Sequence, residues 1–408
     1  MARAFRWHAG LTPLIANALP SLSPSDQAEL TALRRALHQR PELSGEESET
    51  AAQVVKTLNA GATPDALVQN LGGHGVAAIY EGAAPGPTVM LRCELDGLPI
   101  QEVSDAPHRS QIDGKGHLCG HDGHMTMLIG VARLLARQRP AQGRVVLLFQ
   151  PAEETGAGAA AVLADPAFAP LTPDLALSLH NLPGLPLGNV MIAPGSANCA
   201  SVGLRIALGG RTAHASMPED GLSPTSAIAS MIATLADFAN PTPDQPEDFA
   251  LTTITHVKVG APAFGVAPGA GELWVTLRTT TDTALTNLRQ AAETAAHTAA
   301  TKDGLTCDLT WHDHFHACTN DPEATSTLIR AMERAGLPLA PSTLPMRFSE
   351  DFGLFGSVSK AAMFYLGAGT DSPALHNPDY DFPDALIEKG VNVFVAALDD
   401  VLGFAPSP

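Results

Sequence analysis

Residues 117–124 read His-Leu-Cys-Gly-His-Asp-Gly-His, the densest run of metal-capable side chains in the sequence. Cys119 and His121 stand two positions apart in a loop and can turn toward one point. Thiolate and imidazole together suit a borderline-soft divalent ion such as Zn²⁺. Asp122 can hold a histidine's second ring nitrogen. A second cluster, Gln150-Pro-Ala-Glu153-Glu154, follows directly on the apolar run Val145–Phe149. Ligands gather at the carboxyl ends of strands in open α/β sheets, and two adjacent carboxylates there can divide labour. One binds metal while its neighbour takes a proton from water. His180 ends another apolar run, Leu175–Leu179, and Leu375-His376-Asn377-Pro378 comes after a fourth, Ala361–Leu366. In a parallel sheet such ends converge on one side, so these five residues could close around a metal pair.

The apolar spacing predicts the elements that would position them. Helical periodicity covers 27–39, 46–59 and His124–Arg137, and short apolar runs mark strands at Gly75–Tyr80, Thr88–Arg92, Val145–Gln150 and Leu175–His180. Buried strands alternating with helices imply an α/β layered unit with a largely parallel sheet. The middle of the chain changes character. Strand Val202–Leu208, helix Pro224–Phe238, strands Leu251–Val259 and Glu272–Thr279, helix Leu285–Ala300 and strand Leu305–Trp311 give the order βαββαβ of a ferredoxin-like split unit. Helix Ala324–Ala335, strand Ala361–Leu366 and helix Ala385–Val401 then resume the first pattern. Two domains are therefore expected, 198–311 being inserted between 1–197 and 312–408.

Composition narrows the function classes. Against 42 Asp+Glu stand 24 Lys+Arg, a net charge of −18, while 45% of residues are hydrophobic. That apolar content excludes an acidic disordered chain, and the negative balance argues against a nucleic-acid binder. Fifteen histidines outnumber the three Trp, three Tyr and five Cys, and histidine is the commonest metal ligand and proton shuttle. The five cysteines are irregularly spaced and odd in number, which suits a reducing compartment, with cytoplasm as the expected location. Of these, Cys93, Cys199, Cys307 and Cys318 read as small buried hydrophobes. Arg3 and Arg6 precede an apolar stretch broken by Pro13 and Asn17, so no cleaved leader is expected there. No run reaches the ~20 apolar residues that span a bilayer.

Seven segments in order carry a resemblance to a known family: LRCELDGLPIQE (91–102), HLCGHDGHM (117–125), FQPAEETGAGA (149–159), SLHNLPGLPLGNV (178–190), AHASMP (213–218), SEDFG (349–353) and LHNPDYDF (375–382). The sequence resembles the M20 metallopeptidase superfamily. Within it, the likeness is to the amidohydrolase branch of indole-acetyl-amino-acid hydrolases, hippurate hydrolases and N-acyl-amino-acid deacylases. The resemblance implies a di-metal α/β catalytic domain interrupted by a ferredoxin-like α+β lid that also dimerises. It implies two divalent ions, Zn²⁺ or Mn²⁺ with Co²⁺ or Ni²⁺ as alternatives, held by Cys119, His121, Glu154, His180 and His376. Glu153 would be the general base acting on a metal-bridged water. His214 would reach a partner subunit's site as oxyanion donor, and Asp96 would be a carboxylate just behind the metals. The expected substrate is an N-acyl amino acid or peptide, and the expected assembly a homodimer or higher homo-oligomer.

The substrate-reading positions depart from the family pattern. The usual D-x-D is Glu94-Leu-Asp96, and the usual N-V-I-P is Gly265-Val-Ala-Pro268, which lacks the Asn amide. Thr212-Ala213 replaces a Gly-Gly before His214, and Glu219 stands where His is common. Candidates for substrate binding are Arg278, Asn377 and Glu350. Arg278 could pair with a carboxylate or lie on a strand surface; Glu350 and Asp351 could line a pocket or cap a turn. His312, His314 and His316 alternate as the exposed face of a strand does. A dipeptidase or aminopeptidase with the same metals, and a binding protein that kept the fold without catalysis, are the alternative readings.

Overall fold

The computed structural model describes residues 19–243 and 245–405; the leader reading at Arg3–Asn17 lies outside them. Along the chain come α1 (Pro24–His38), α2 (Ser48–Gly61), β1 (Ala66–Leu71), β2 (Gly75–Glu81), β3 (Thr88–Glu94), α3 (His121–Arg137), β4 (Arg144–Gln150), α4 (Gly158–Ala164), β5 (Leu175–Pro183), β6 (Val190–Met191) and β7 (Gly195–Asn198). The inserted unit holds β8 (Ala200–Gly209), β9 (Ala213–His214), α5 (Thr225–Ala236), β10 (Ala250–Val259), β11 (Val266–Ala267), β12 (Ala270–Thr279), α6 (Asp282–Lys302) and β13 (Thr306–Phe315). Then β14 (Cys318–Asn320), α7 (Pro322–Arg334), β15 (Lys360–Gly369) and α8 (Leu386–Leu402) close the fold.

The large sheet runs β1-β2-β4-β3-β5-β15-β6. Its centre, β4-β3-β5-β15, is parallel, and its margins are antiparallel. The sheet is thus mixed at its edges, where the sequence reading expects it largely parallel. Central strands are buried on both faces, which is why they read as continuous apolar runs. Their side chains alternate between two cores. Leu91, Val145, Leu147 and Phe149 face the helices α1, α2, α3, α7 and α8; Met90, Val146 and Leu148 face α4 and Phe352–Phe355. β1 escapes detection because its burial does not alternate.

The inserted sheet runs β10-β12-β8-β13, all antiparallel. Alternate residues of β8, Val202, Leu204, Ile206 and Leu208, join Ile228, Met231 and Leu235 of α5 and Ala292 and Ala296 of α6 in one core. The other face is half-exposed, as the period of two predicts. This is the ferredoxin-like α+β arrangement. β13 runs on to Phe315, past Trp311, with a break of register after His312 and a positive φ of 50° at Asp313. That break interrupts the expected alternation of His312, His314 and His316.

Helix ends follow caps rather than apolar spacing. α1 starts three residues before the predicted 27 because Ser23 and Asp26 form a reciprocal capping box ahead of Pro24. α3 starts at His121, not at His124. Among the described residues no helix is long and apolar enough to cross a membrane.

Candidate metal centre

The four central strands end level. Glu94 lies beside Gln150, and Tyr365 beside His180. From these ends emerge Asp96, the Gln150–Gly158 turn, His180 itself and the loop carrying His376. α3 supplies His121 on its first turn, with Cys119 just ahead. Between them Gly120 takes φ 95°, and a Cβ there would lie 2.2 Å from Asn181 Oδ1, so only glycine fits. The His376 amide donates to Leu118 O at 2.9 Å, tying the last loop to the first.

The five expected ligands come together. Cys119 Sγ lies 3.4 Å from His180 Nε2. His121 Nε2 is 3.8 Å from Glu154 Oε1 and 3.9 Å from Glu153 Oε2, and His376 Nε2 is 3.5 Å from Glu154 Oε2. Cys119, His121 and His180 form one group able to surround an ion; Cys119, Glu154 and His376 form another, sharing the thiol. Their tautomers are set from behind. His121 Nδ1 donates to Asp96 O, and His180 Nδ1 to Asn181 O, each at 2.8 Å. Carbonyls only accept, so both Nε2 atoms carry the lone pairs that face the centre when the rings are neutral.

The donor set fits divalent cations. His121 Nε2 and Glu154 Oε1 are buried without a hydrogen-bond partner, a state that native structures rarely leave unexplained. Burial disfavours the charged form of His121, yet Asp96, Glu94 and Glu154 outweigh it and push the imidazole up to about 10. His180 moves the other way, to about 3, through burial and the neighbouring His124. Burial and Glu154 hold the Cys119 thiol far above its ordinary range. The local field favours positive charge, which a divalent cation held by these residues would supply.

A buried arginine organises the carboxylates behind. Arg92, fully enclosed, pairs with Glu94 and Asp351, lies 3.0 Å from Glu350 Oε1, and donates to Gln150 Oε1 at 2.9 Å. Glu94 Oε2 accepts from His124 Nδ1 at 2.6 Å, so its extra methylene still reaches a partner. Glu153 sits above this group. Burial, Glu350, Glu154 and Asp351 raise its carboxyl well above the usual range. Asp351 rises to about 7 for the same reasons, burial and Glu350. Asp96 Oδ2 accepts from the Glu154 amide at 2.9 Å and from Ser44 Oγ at 2.7 Å.

A cavity of 460 Å³ opens over the centre, lined by Cys119, Glu153, Glu154, His180, His376 and Glu350, by Leu182, Phe315, Phe348 and Leu375, and by Arg278. Arg278 Nη1 donates to Arg347 O at 3.2 Å and Ser349 Oγ at 3.0 Å, both neutral acceptors. Two candidates are not brought there. Asn377 is exposed and does not line the cavity. His214 stands on the exposed β9–β11 ribbon with Nδ1 2.7 Å from Ser216 Oγ. His312, His314 and His316 belong to none of the metal-holding groups found among the described residues. All five cysteines are free, Cys307 half-buried and the others buried.

Sequence reasoning misses the network under α3. Arg34 of α1 reaches Asp381 Oδ1 at 2.6 Å, Asp384 Oδ1 at 2.8 Å and Asp122 Oδ2 at 3.4 Å. His38, one turn later, holds Asp122 Oδ2 at 2.9 Å. The network joins the first turn of α3 to the loop after His376. The i, i+4 spacing of Arg34 and His38 was its trace in the sequence, without any sign of the partners.

Residues 90–400 match the peptidase family M20/M25/M40. The chain belongs to this family. It is 30% identical over 370 residues to an N-acetyl-L-cysteine deacetylase of Bacillus subtilis, covering 89% of this chain and 86% of that one. An IAA-amino acid hydrolase of Arabidopsis thaliana is 28% identical, with 90% and 85% covered. Among solved structures, a dinuclear metal binding peptidase of the M20 family from Bacillus subtilis superposes with TM-score 0.77 at 26% identity, over 93% of this chain and 99% of that one.

The buried ion pair beneath α3 should make the stability of this M20 chain pH-dependent. Burial opposes the charge on His38, but Asp122 and Glu102 raise it from 6.5 to about 10. A folded-state value above the unfolded one gives stability that is complete below pH 6.5 and lost as pH rises through about 10. The melting temperature should fall across that window at fixed salt, and His38→Gln should flatten the profile while lowering its acid end.

Proposed function

We propose that the protein is a metal-dependent amidohydrolase that cleaves the linear amide bond of N-acyl amino acids. One observation carries the reading: a five-ligand centre with a spare carboxylate, Glu153, opens into the same cavity as a guanidinium, Arg278, that has only neutral partners. Cys119, His121, Glu154, His180 and His376 would hold two divalent cations, Zn²⁺ or Mn²⁺ by ligand type. Bound there, the cations supply Lewis-acid polarisation of the amide carbonyl and an acidified water.

The chain's own residues do the rest. Glu153 takes a proton from the attacking water and returns it to the leaving nitrogen. Its crowding by Glu350 and Asp351 makes it a ready proton holder. Asp96 keeps His121 in its ligating tautomer through the carbonyl contact. Arg278 pairs with the substrate carboxylate, a charge-assisted bond that fixes which end of the substrate faces the metals. Phe315, Phe348, Leu182 and Leu375 offer apolar surface to the acyl group or side chain.

A peptidase reading needs a carboxylate for the substrate's free amine. Glu350 is the remaining acid of the cavity, and it already accepts from Phe352 N at 3.2 Å and pairs with Arg92. The acyl-amino-acid reading is therefore favoured. Five free thiols fit a reducing compartment.

The assembly proposed is a homodimer built through the inserted lid. His214 and its neighbours Met217, Phe264 and Val266 are exposed on one ribbon, and β10 is an open sheet edge. Unpaired edges and apolar patches are the features that partners cover. His214 would then donate to the oxyanion in the partner's cavity.

Four outcomes test this. The Mn²⁺- or Zn²⁺-reconstituted protein should release free amino acid from a panel of N-acetyl, N-benzoyl and N-indoleacetyl amino acids. Glu153→Gln should lower kcat ~10²–10⁴-fold while metal binding by calorimetry persists; a metal-loaded protein that hydrolyses nothing in the panel would leave the binding-protein reading standing. Arg278→Ala should raise KM about 10- to 100-fold, the worth of one charge-assisted bond, and should matter little for an amide lacking a carboxylate. Finally, Glu153→Gln and His214→Ala chains, each inactive alone, should recover about a quarter of full activity when mixed and re-equilibrated, because each mixed dimer contains one intact site. No recovery would place His214 outside the chemistry of a partner.

A further inference from the structure

The Glu153–Glu154 turn is held in a conformation its own sequence does not favour. Ala152, immediately before Glu153, has φ 52°. The left-handed region costs an L-residue with a Cβ roughly 1–2 kcal/mol, so something else must hold it. Around Ala152 the backbone is anchored from outside. Its amide donates to Glu47 Oε1 at 2.8 Å, and two residues on the Glu154 amide donates to Asp96 Oδ2 at 2.9 Å. Both anchors lead back to Ser44–Glu47, the link between α1 and α2, because Ser44 Oγ donates to Asp96 Oδ2 at 2.7 Å.

Glu47 is placed for a different job and does not do it. It is the N-cap residue of α2, yet its side chain makes no capping bond. Glu42 takes that role, accepting from the Glu49 amide at 3.2 Å and the Thr50 amide at 2.7 Å. Glu47 instead turns inward, fully buried, its Oε1 shared between the amides of Ala152 and Gly45. Its Oε2 has no hydrogen-bond partner. A buried carboxylate oxygen left bare lowers stability, so helix capping and folding do not account for it.

We propose that Glu47 is a positioning residue. Through the Ala152 amide it holds the strained turn that aims Glu153 and Glu154 into the cavity. This rests on the amidohydrolase reading for the roles of those two residues. The contact needs an acceptor oxygen, not a charge. It also needs a backbone that would otherwise relax.

The test compares four full-length variants loaded with Mn²⁺: Glu47→Ala, Glu47→Gln, Ala152→Gly, and the double variant. Glu47→Ala should lower kcat about 10- to 100-fold, as small displacements of reacting groups do, with KM nearly unchanged. Glu47→Gln, which keeps an oxygen at Oε1, should stay near wild type. Glycine adopts positive φ without strain, so Ala152→Gly should restore most of the kcat lost in Glu47→Ala. Hydrogen exchange should show the Ala152 amide protected in wild type and Glu47→Gln, and exposed in Glu47→Ala. Unchanged kcat in Glu47→Ala, an equal loss in the double variant, or an unprotected wild-type Ala152 amide would each overturn the proposal. If Glu47→Ala does not fold, Glu47→Asp makes the same comparison, since its shortened side chain withdraws the acceptor. A wild-type protein inactive on the whole panel defeats the amidohydrolase reading instead, and the exchange data and a Mn²⁺ titration of the variants still decide whether Glu47 holds the turn.

Discussion

Arg92 is buried at the end of a central strand where carboxylates crowd from three sides. Glu94, Glu350 and Asp351 all pair with its guanidinium, and Gln150 fixes the fork in plane. An isolated buried charge costs far more than a paired one, so this single cation makes the acidic cluster possible. It does not neutralise it. Among the described residues no second arginine or lysine pairs with Glu153 or Glu154 above this group, and burial with the neighbouring acids raises the carboxyls of Glu153 and Asp351. Divalent cations are the other response. The fold thus sets up a deficit of positive charge at the point where Cys119, His121, His180 and His376 present neutral or ionisable donors.

That deficit sits at the sheet's carboxyl edge because only parallel strands deliver successive loops to one side. Four level strand ends bring residues 94–96, 150–158, 180 and 376 within a few ångströms although they span most of the chain. Level ends alone would leave the loops free to move. Their geometry is secured from behind, by the Leu118–His376 backbone bond, by Arg34 and His38 under α3, and by Ser44 and Glu47 under the turn after β4. The last two of these supports come from α1 and the link after it. The N-terminal helices therefore do more than cover the sheet.

This division explains what could be read in the sequence. The ligand-type residues were legible because Cys, His and Glu are chemically distinctive, and because Glu154, His180 and His376 follow or end buried strands that announce themselves as apolar runs. The central strands and the βαββαβ insert were legible for the same reason, through period and length. The supports were not. Arg34 and its partner Asp384 are 350 residues apart, and nothing local in either segment names the other. The start of α3 was misplaced by three residues because Gly120 and His121 carry no apolar signal. Glu47 falls inside the helix expected over 46–59, and nothing local to it shows that Glu42 caps α2 while Glu47 turns inward to the Ala152 amide. Strand β1 and the short ribbons lack alternation and are defined by pairing partners rather than by their own residues.

The altered lid loop sharpens what the cavity can recognise. Gly265 lies at the exposed β9–β11 ribbon with open space around its Cα, so the amide absent there is absent from the ribbon and not from the cavity wall. Arg278 belongs to β12, whose end overhangs the metal centre, and its guanidinium is bonded to a carbonyl and a hydroxyl that leave its charge uncompensated. Burial, by disfavouring the charged form, shifts Arg278 down rather than up, as expected for a cation without an anionic neighbour. A substrate carboxylate would remove that penalty, and a neutral amide group would not. On the proposed reading, recognition within a single chain would rest on the one charge of Arg278 in the cavity that Glu153 lines, a simpler selection than a two-donor clamp. Such a site would discriminate on the presence of a carboxylate and leave the acyl group to the apolar wall of Phe315, Phe348, Leu182 and Leu375.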